Sequence, residues 1–259
     1  MTSWPVRRVA VRALTILLSA IVLGAVGVWA VEANRERIET ARLSARFEPP
    51  VLAGQNVPGA CSGGFYARHG AAIVLTIVGH CAIAGTDLLD ASGARIGTFG
   101  QPAQLTDCPT DRFCAPSDFL ALELAPDHIP WGHLNLVDMG AGGYREVAAG
   151  AHPLSCADIR IGDRVEVDGR EHYRSGVVVA TGRYEHPTDI IFPCMIVTDI
   201  VVVVGDSGGA VLVNGAPAGI ISRSTAGRMG FTPLAEGLVN LGLTLCTTPT
   251  CGLSAPPGA

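Results

Sequence analysis

Several things are scarce or missing in this 259-residue chain. Aromatic residues make up 5% and charged residues 16%, and the net charge is -5. No basic block interrupts the body of the sequence, which argues against a nucleic acid partner. There is no Cys-x-x-Cys, so the eight cysteines are not those of a zinc ribbon or a thioredoxin-like site. No internal repeat is visible. Helical periodicity is also absent between the apolar runs of the central region, which excludes a βαβ architecture there. No cofactor or metal is called for.

Glycine and turn residues are plentiful instead, with 32 glycines and 17 prolines. From about Gly54 onward, short apolar runs alternate with Gly, Pro, Asp and Asn. Residues 71–78, 119–124, 164–167, 176–181, 195–204, 210–213 and 218–222 all read as strands. "LAEGLVNLG" (Leu234 to Gly242) reads as a short final helix. Strands without intervening helices predict an all-β barrel or sandwich.

The N-terminus has a different texture. Arg7, Arg8 and Arg12 precede an uncharged apolar run from Ala13 to Val31, long enough to cross a bilayer as a helix. The arginines predict that residues 1–12 stay in the cytoplasm and that everything after Val31 lies outside. Two readings compete: a retained signal anchor over 13–31, which the length of the run favours, or a signal peptide cleaved near Val31-Glu32-Ala33. Residues 32–53 read as a mixed-charge stalk helix and linker, ended by Pro49 and Pro50. An even number of cysteines suits export, where they are expected as disulfides. Cys108 and Cys114 close a short loop, and Cys61 and Cys81 bracket one hairpin. The pairing of Cys156, Cys194, Cys246 and Cys251 is left open by the sequence.

The most informative stretch is "GDSGGAVL", Gly205 to Leu212. A glycine-rich hairpin turn is one explanation; a serine held for chemistry is the other. The Gly-x-Ser-x-Gly pattern fits the α/β-hydrolase elbow only if a histidine follows, yet all seven histidines precede Ser207. A serine hydroxyl needs an upstream base to accept its proton. His80 in "LTIVGHCA" ends an apolar strand beside Cys81. Asp118 in "PSDFLALEL" precedes a strongly apolar strand, where an unpaired carboxylate is costly. His80, Asp118 and Ser207 then stand in the chain order His, Asp, Ser.

With these residues in place the chain resembles the chymotrypsin-fold serine proteases, in particular the bacterial streptogrisin and α-lytic endopeptidase type. Four pieces match in order over roughly Gly59 to Leu245: "CSGGF" leading to "LTIVGHC", "IGTFG" before "SDFLALEL", "GDSGG", and "GIIS" followed by "FTPLAEGL". The resemblance implies two six-stranded Greek-key β-barrels with a short C-terminal helix, the first at 54–138, a linker at 139–154, the second at 155–246 and a tail at 247–259. It implies Ser207 as nucleophile, His80 as base, Asp118 as the residue orienting His80, and the amides of Gly205 and Ser207 as the oxyanion hole. It further implies a Cys61–Cys81 disulfide pinning the histidine loop, and Ser222 beside the triad carboxylate on the substrate-pairing strand. Asp206 needs a cationic partner, and Arg170 in "VDGRE" matches the family's Gly-Arg; no Ile-Val-Gly-Gly-like N-terminus is present.

The substrate pocket departs from the pattern. Val201 stands where the bacterial enzymes carry a half-cystine, and no cysteine lies between Ser222 and Phe231 to pair with one. The run Val201 to Val204 is expected as a buried strand delivering Ser207, walling the pocket with apolar groups. No Asp stands at the pocket base, which disfavours a basic residue before the scissile bond. Arg223 and Ser224 are expected on the opposite wall, Arg223 narrowing it or recruiting an acid. Little room is left before the first strand for a folding pro-region. Together these features predict a monomeric, exported, membrane-tethered serine endopeptidase acting on exported proteins or peptides. The alternative is a catalytically silent double-barrel scaffold that binds a protein or peptide outside the cytoplasm.

Overall fold

The computed structural model describes residues 56–254 except 58–60, 91, 103–105, 108–112, 116, 141–142, 170–172, 187–189 and 226. The expected cytoplasmic segment, anchor and stalk, residues 1–53, lie outside the described residues. No helix among the described residues is long and apolar enough to cross a membrane. Everything described belongs to one compact unit, Arg46–Ala259.

Strands dominate, as the sequence predicts. The first half contains β1 (Asn56–Val57), β2 (Cys61–Ser62), β3 (Tyr66–His69), β4 (Ala72–Val78), β5 (Asp87–Leu89), β6 (Arg95–Phe99), β7 (Thr106–Asp107), β8 (Phe113–Cys114), β9 (Phe119–Leu124), β10 (Leu136–Asp138) and β11 (Tyr144–Glu146). The second contains β12 (Arg164–Asp168), β13 (Tyr173–Glu185), β14 (Ile190–Thr198), β15 (Ala210–Val213), β16 (Ala216–Thr225), β17 (Arg228–Pro233), the helix α1 (Leu234–Leu241) and β18 (Thr244–Leu245). The hairpin of β10 and β11 reaches into the expected linker.

The second barrel closes. Its sheet runs β13-β12-β15-β16-β17-β14, and β13 pairs with β14 to complete the ring of six. A parallel pairing at the start of β14 adds β8 and then β7 on the outside. Val165, Val167, Ile196, Val211, Ala218 and Phe231 fill the interior, each fully buried.

The first sheet also has six strands, in the order β18-β3-β4-β9-β6-β5. Two of its features differ from the expectation. Among the described residues no pairing joins β5 to β18, so closure by hydrogen bonds is confined to the second barrel. Its edge strand β18 also comes from the end of the chain, where Leu245 pairs with Ala67. The cause is α1, whose buried Leu234 and Leu238 join the core of Leu75, Ile77, Phe119 and Leu122. Gly237 lets the helix lie directly on Phe119, because a Cβ there would come 2.5 Å from the ring. The sequence assigned α1 to the second barrel, but its apolar face serves the first.

Disulfides join Cys61 to Cys81, Cys156 to Cys194 and Cys246 to Cys251. Cys114 is also disulfide-bonded; its expected partner Cys108 lies outside the described residues.

Candidate active site

The two sheets bring His80, Asp118 and Ser207 together. His80 sits in a one-turn 3₁₀ helix, Gly79–Cys81, directly after β4. The Cys81 disulfide fixes one end of this turn, and the Gly79 amide donates to the Asp118 carbonyl at 3.0 Å. Asp118 immediately precedes β9, the neighbour of β4 in the sheet. The imidazole therefore meets the carboxylate through the registry of two adjacent strands. His80 Nδ1 lies 2.9 Å from Asp118 Oδ2, and His80 Nε2 lies 3.3 Å from Ser207 Oγ.

The carboxylate is mostly enclosed, with 12% of its side chain exposed against 48% for His80. Burial alone pushes the Asp118 carboxyl up. The hydrogen bond and charge of His80, the Ser222 hydroxyl and the Arg223 guanidinium together outweigh it, and the carboxyl titrates below its usual range. Ser222 Oγ donates to Asp118 Oδ2 at 2.7 Å. Asp118 thus remains an anion beside an imidazole that can carry a proton.

Ser207 stands on a turn tied to β2 and, through the Gly208 amide and the Ile221 carbonyl, to β16. Ser62 of β2 donates its amide to the Ser207 carbonyl at 2.7 Å and its hydroxyl to the Gly205 carbonyl at 2.9 Å. Glycine is required here in two places. Gly205 has φ +102, a region side chains avoid, and a Cβ on Gly208 would lie 2.1 Å from the Ser62 carbonyl oxygen. Among the described residues no acceptor takes the amide of Gly205 or Ser207, which are the expected oxyanion donors.

Asp206 is fully buried, and its Oδ2 accepts the amide of Val203 at 2.8 Å and Arg174 Nη1 at 2.5 Å. Arg170, the expected partner, lies outside the described residues. The Arg174 contact was not read from the sequence. Its only signal is parity: Arg174 pairs opposite Val167 at the start of β13, two residues before Gly176.

The valines behave differently from the expectation. Val201, Val203 and Val204 are 63%, 50% and 81% exposed and belong to no strand. β14 ends at Thr198 because Asp199 leaves the sheet, its Oδ1 taking the Val177 amide at 2.8 Å. The chain then wraps around Asp206, whose amide donates back to the Val203 carbonyl at 3.1 Å. A polar anchor has overridden a β-prone run.

Across from this loop, Arg223 to Thr225 of β16 pair on one side with β17, and the pairing with β15 stops at Ile220. Their other edge is open among the described residues. Ser224 is exposed there. Arg223 turns toward the Asp118 carboxylate. Its Nη2 lies 3.5 Å from Asp118 Oδ2, and its guanidinium carbon stands 4.5 Å from the Phe192 ring centre and 5.4 Å from that of Tyr184.

No family model matches the chain, and no curated protein matches it. Solved structures do. Cellulomonas bogoriensis chymotrypsin is 22% identical with a TM-score of 0.57, covering 76% of this chain and 99% of its own. Thermobifida fusca protease A gives 22% and 0.57, over 75% of this chain and 97% of its own. Nocardiopsis protease gives 22% and 0.58, over 75% and 98%. The fold is chymotrypsin-like. At these identities the likeness carries the architecture, and the chemistry rests on the residues themselves.

Proposed function

We propose that the protein is an exported serine endopeptidase that cleaves peptide bonds through an acyl-enzyme. The observation that carries this reading is His80 bridging Asp118 and Ser207 through its two ring nitrogens. Ser207 Oγ attacks the scissile carbonyl while His80 Nε2 takes its proton and passes it to the leaving amine. Asp118 holds the Nδ1–H tautomer and stabilises the imidazolium. Gly205 and Ser207 supply amide donors to the oxyanion, each such donor being worth roughly 10²–10³ in rate. A water activated by His80 then releases the acyl group.

A substrate strand adds along the open edge of Ser222 to Thr225, in the manner of strand augmentation. Its side chain before the scissile bond meets Val201, Val203 and Val204, which favour an apolar residue through burial at about 25 cal/mol per Å². Export is supported by the disulfides and the chymotrypsin-like fold, and residues 13–31 supply the tether that keeps the domain at the outer membrane face.

The test is labelling of the full chain, solubilised in mild detergent, with a fluorescent fluorophosphonate. Wild type is expected to label, and Ser207→Ala and His80→Ala to lose the label while staying folded. Folded wild-type protein that remains unlabelled would overturn the reading and leave a binding scaffold in its place. Sedimentation of the chain with membranes after an alkaline wash tests the tether; a soluble product cut near Val31 would replace it with a signal peptide.

A further inference from the structure

Two consecutive residues of β16 grip the same carboxylate oxygen. In a regular strand Ser222 and Arg223 would point to opposite faces. Opposite β17, however, Ile221 pairs with Phe231 and Arg223 with Gly230, which leaves Ser222 as an extra residue. Such a bulge re-aims the side chains around it. Ser222 Oγ donates to Asp118 Oδ2, Arg223 Nη2 approaches the same oxygen, and Arg223 Nε donates back to Ser222 Oγ at 3.4 Å. Phe192 and Tyr184 support the guanidinium from the side, and only 16% of the Arg223 side chain is exposed. Such a stack immobilises a side chain that would otherwise sample many rotamers.

We propose that Arg223 is a positioning residue of the catalytic network, which clamps Asp118 onto His80 and sets the pH range over which the pair acts. The inference rests on the endopeptidase reading above. A guanidinium is permanently charged, and it shares Asp118 Oδ2 with His80 Nδ1. A second cation forming on His80 would share the same carboxylate with this standing charge, so removing Arg223 frees that carboxylate for His80 alone.

The groups that face Asp118 are His80 from the 3₁₀ turn, Ser222 and Arg223 from β16, and His186 just beyond β13. His186 is held below the usual histidine range by burial first and by Arg223 second, against the pull of Asp118. It therefore stays neutral further into the acid range, and Arg223 supplies the permanent charge.

The experiment measures the fluorophosphonate labelling rate of the full chain against pH for wild type, Arg223→Gln and Arg223→Lys. Arg223→Gln is expected to move the acid limb upward, on the order of one pH unit. Arg223→Lys keeps the charge but cannot span both oxygens while stacking on a ring, so its limb stays near that of wild type and its rate falls. A merely structural role would lower the labelled fraction equally at all pH values and leave the limb in place. That result, or a wild-type profile for Arg223→Gln, overturns the inference. If Arg223→Gln fails to fold, Arg223→Met removes the charge and keeps an aliphatic stem against Phe192. A limb displaced upward in that variant supports the clamp; an unmoved limb overturns it. Failure of wild type to label at any pH sinks the endopeptidase reading itself and is distinct from these outcomes.

Discussion

Asp118, mostly enclosed, and Asp206, fully buried, are carboxylates beside the same serine turn, and arginines serve both. Asp118 sits in a shared network whose net effect is a lowered pKa. A depressed folded-state pKa means that the ionised group contributes stability above the unfolded carboxylate value, and that this contribution is lost as pH falls through the folded value. Urea unfolding of wild type and Asp118→Asn should therefore differ most near neutrality and converge in acid. Labelling of Asp118→Asn should fall by about 10⁴, because an amide cannot hold the required tautomer. A variant that labels at the wild-type rate would remove Asp118 from the mechanism.

Arg174 presents the reverse case, a cation beside a carboxylate with no exposure at all. Arg174→Met strips a charge partner from a fully buried anion and should cost about 3 kcal/mol in urea unfolding. Its labelling should slow as well, since Asp206 anchors the turn that carries Ser207 through Val203. That His80, Asp118 and Ser207 would meet was legible, because their types and order are restrictive. Arg174 and the direction of Arg223 were not, because an arginine reaches far and its target depends on register and on a bulge that leaves no mark in composition.

Elements were readable where apolar runs were long and their flanks polar. β4, β9 and β15 fall within a residue of their expected limits, since each is a continuous apolar run ended by Gly, Pro, Asp or Asn. The run Met195 to Val204 misled for a physical reason: its second half has the side chains of a strand, but the Asp199 carboxylate takes the Val177 amide of β13 and the Asp206 carboxylate takes the Val203 amide of the run, where strand carbonyls would otherwise accept them. The allegiance of α1 was equally hidden, because an amphipathic helix declares that it has an apolar face and not which core will receive it. Its packing on Phe119 yields an element-level prediction. A chain truncated after Pro233 loses α1 and β18 and with them Leu234, Leu238 and the partner of β3. That truncation should abolish fluorophosphonate labelling and proteolytic resistance of the first sheet, although the second barrel retains all six of its strands. Labelling at the wild-type level would show that β3 can stand as an edge.

Across the whole molecule, the chymotrypsin-like architecture could be anticipated from the order of four short motifs, and the matched solved structures share it across most of their lengths. The closed second barrel was implied by the same resemblance, whereas the lack of a pairing between β5 and β18 among the described residues was not, since long-range pairing is set by geometry that no local window contains. The first sheet has strands from both ends of the described chain, and this makes its completion a matter of timing. β9 is made long before β18, and at synthesis rates of about 5–20 residues per second several seconds separate the two. Until then the chain has His80 and Asp118 on a sheet that lacks an edge strand. The candidate site is therefore complete only when nearly the whole polypeptide exists, so the order of strands sets the earliest moment at which its chemistry could begin.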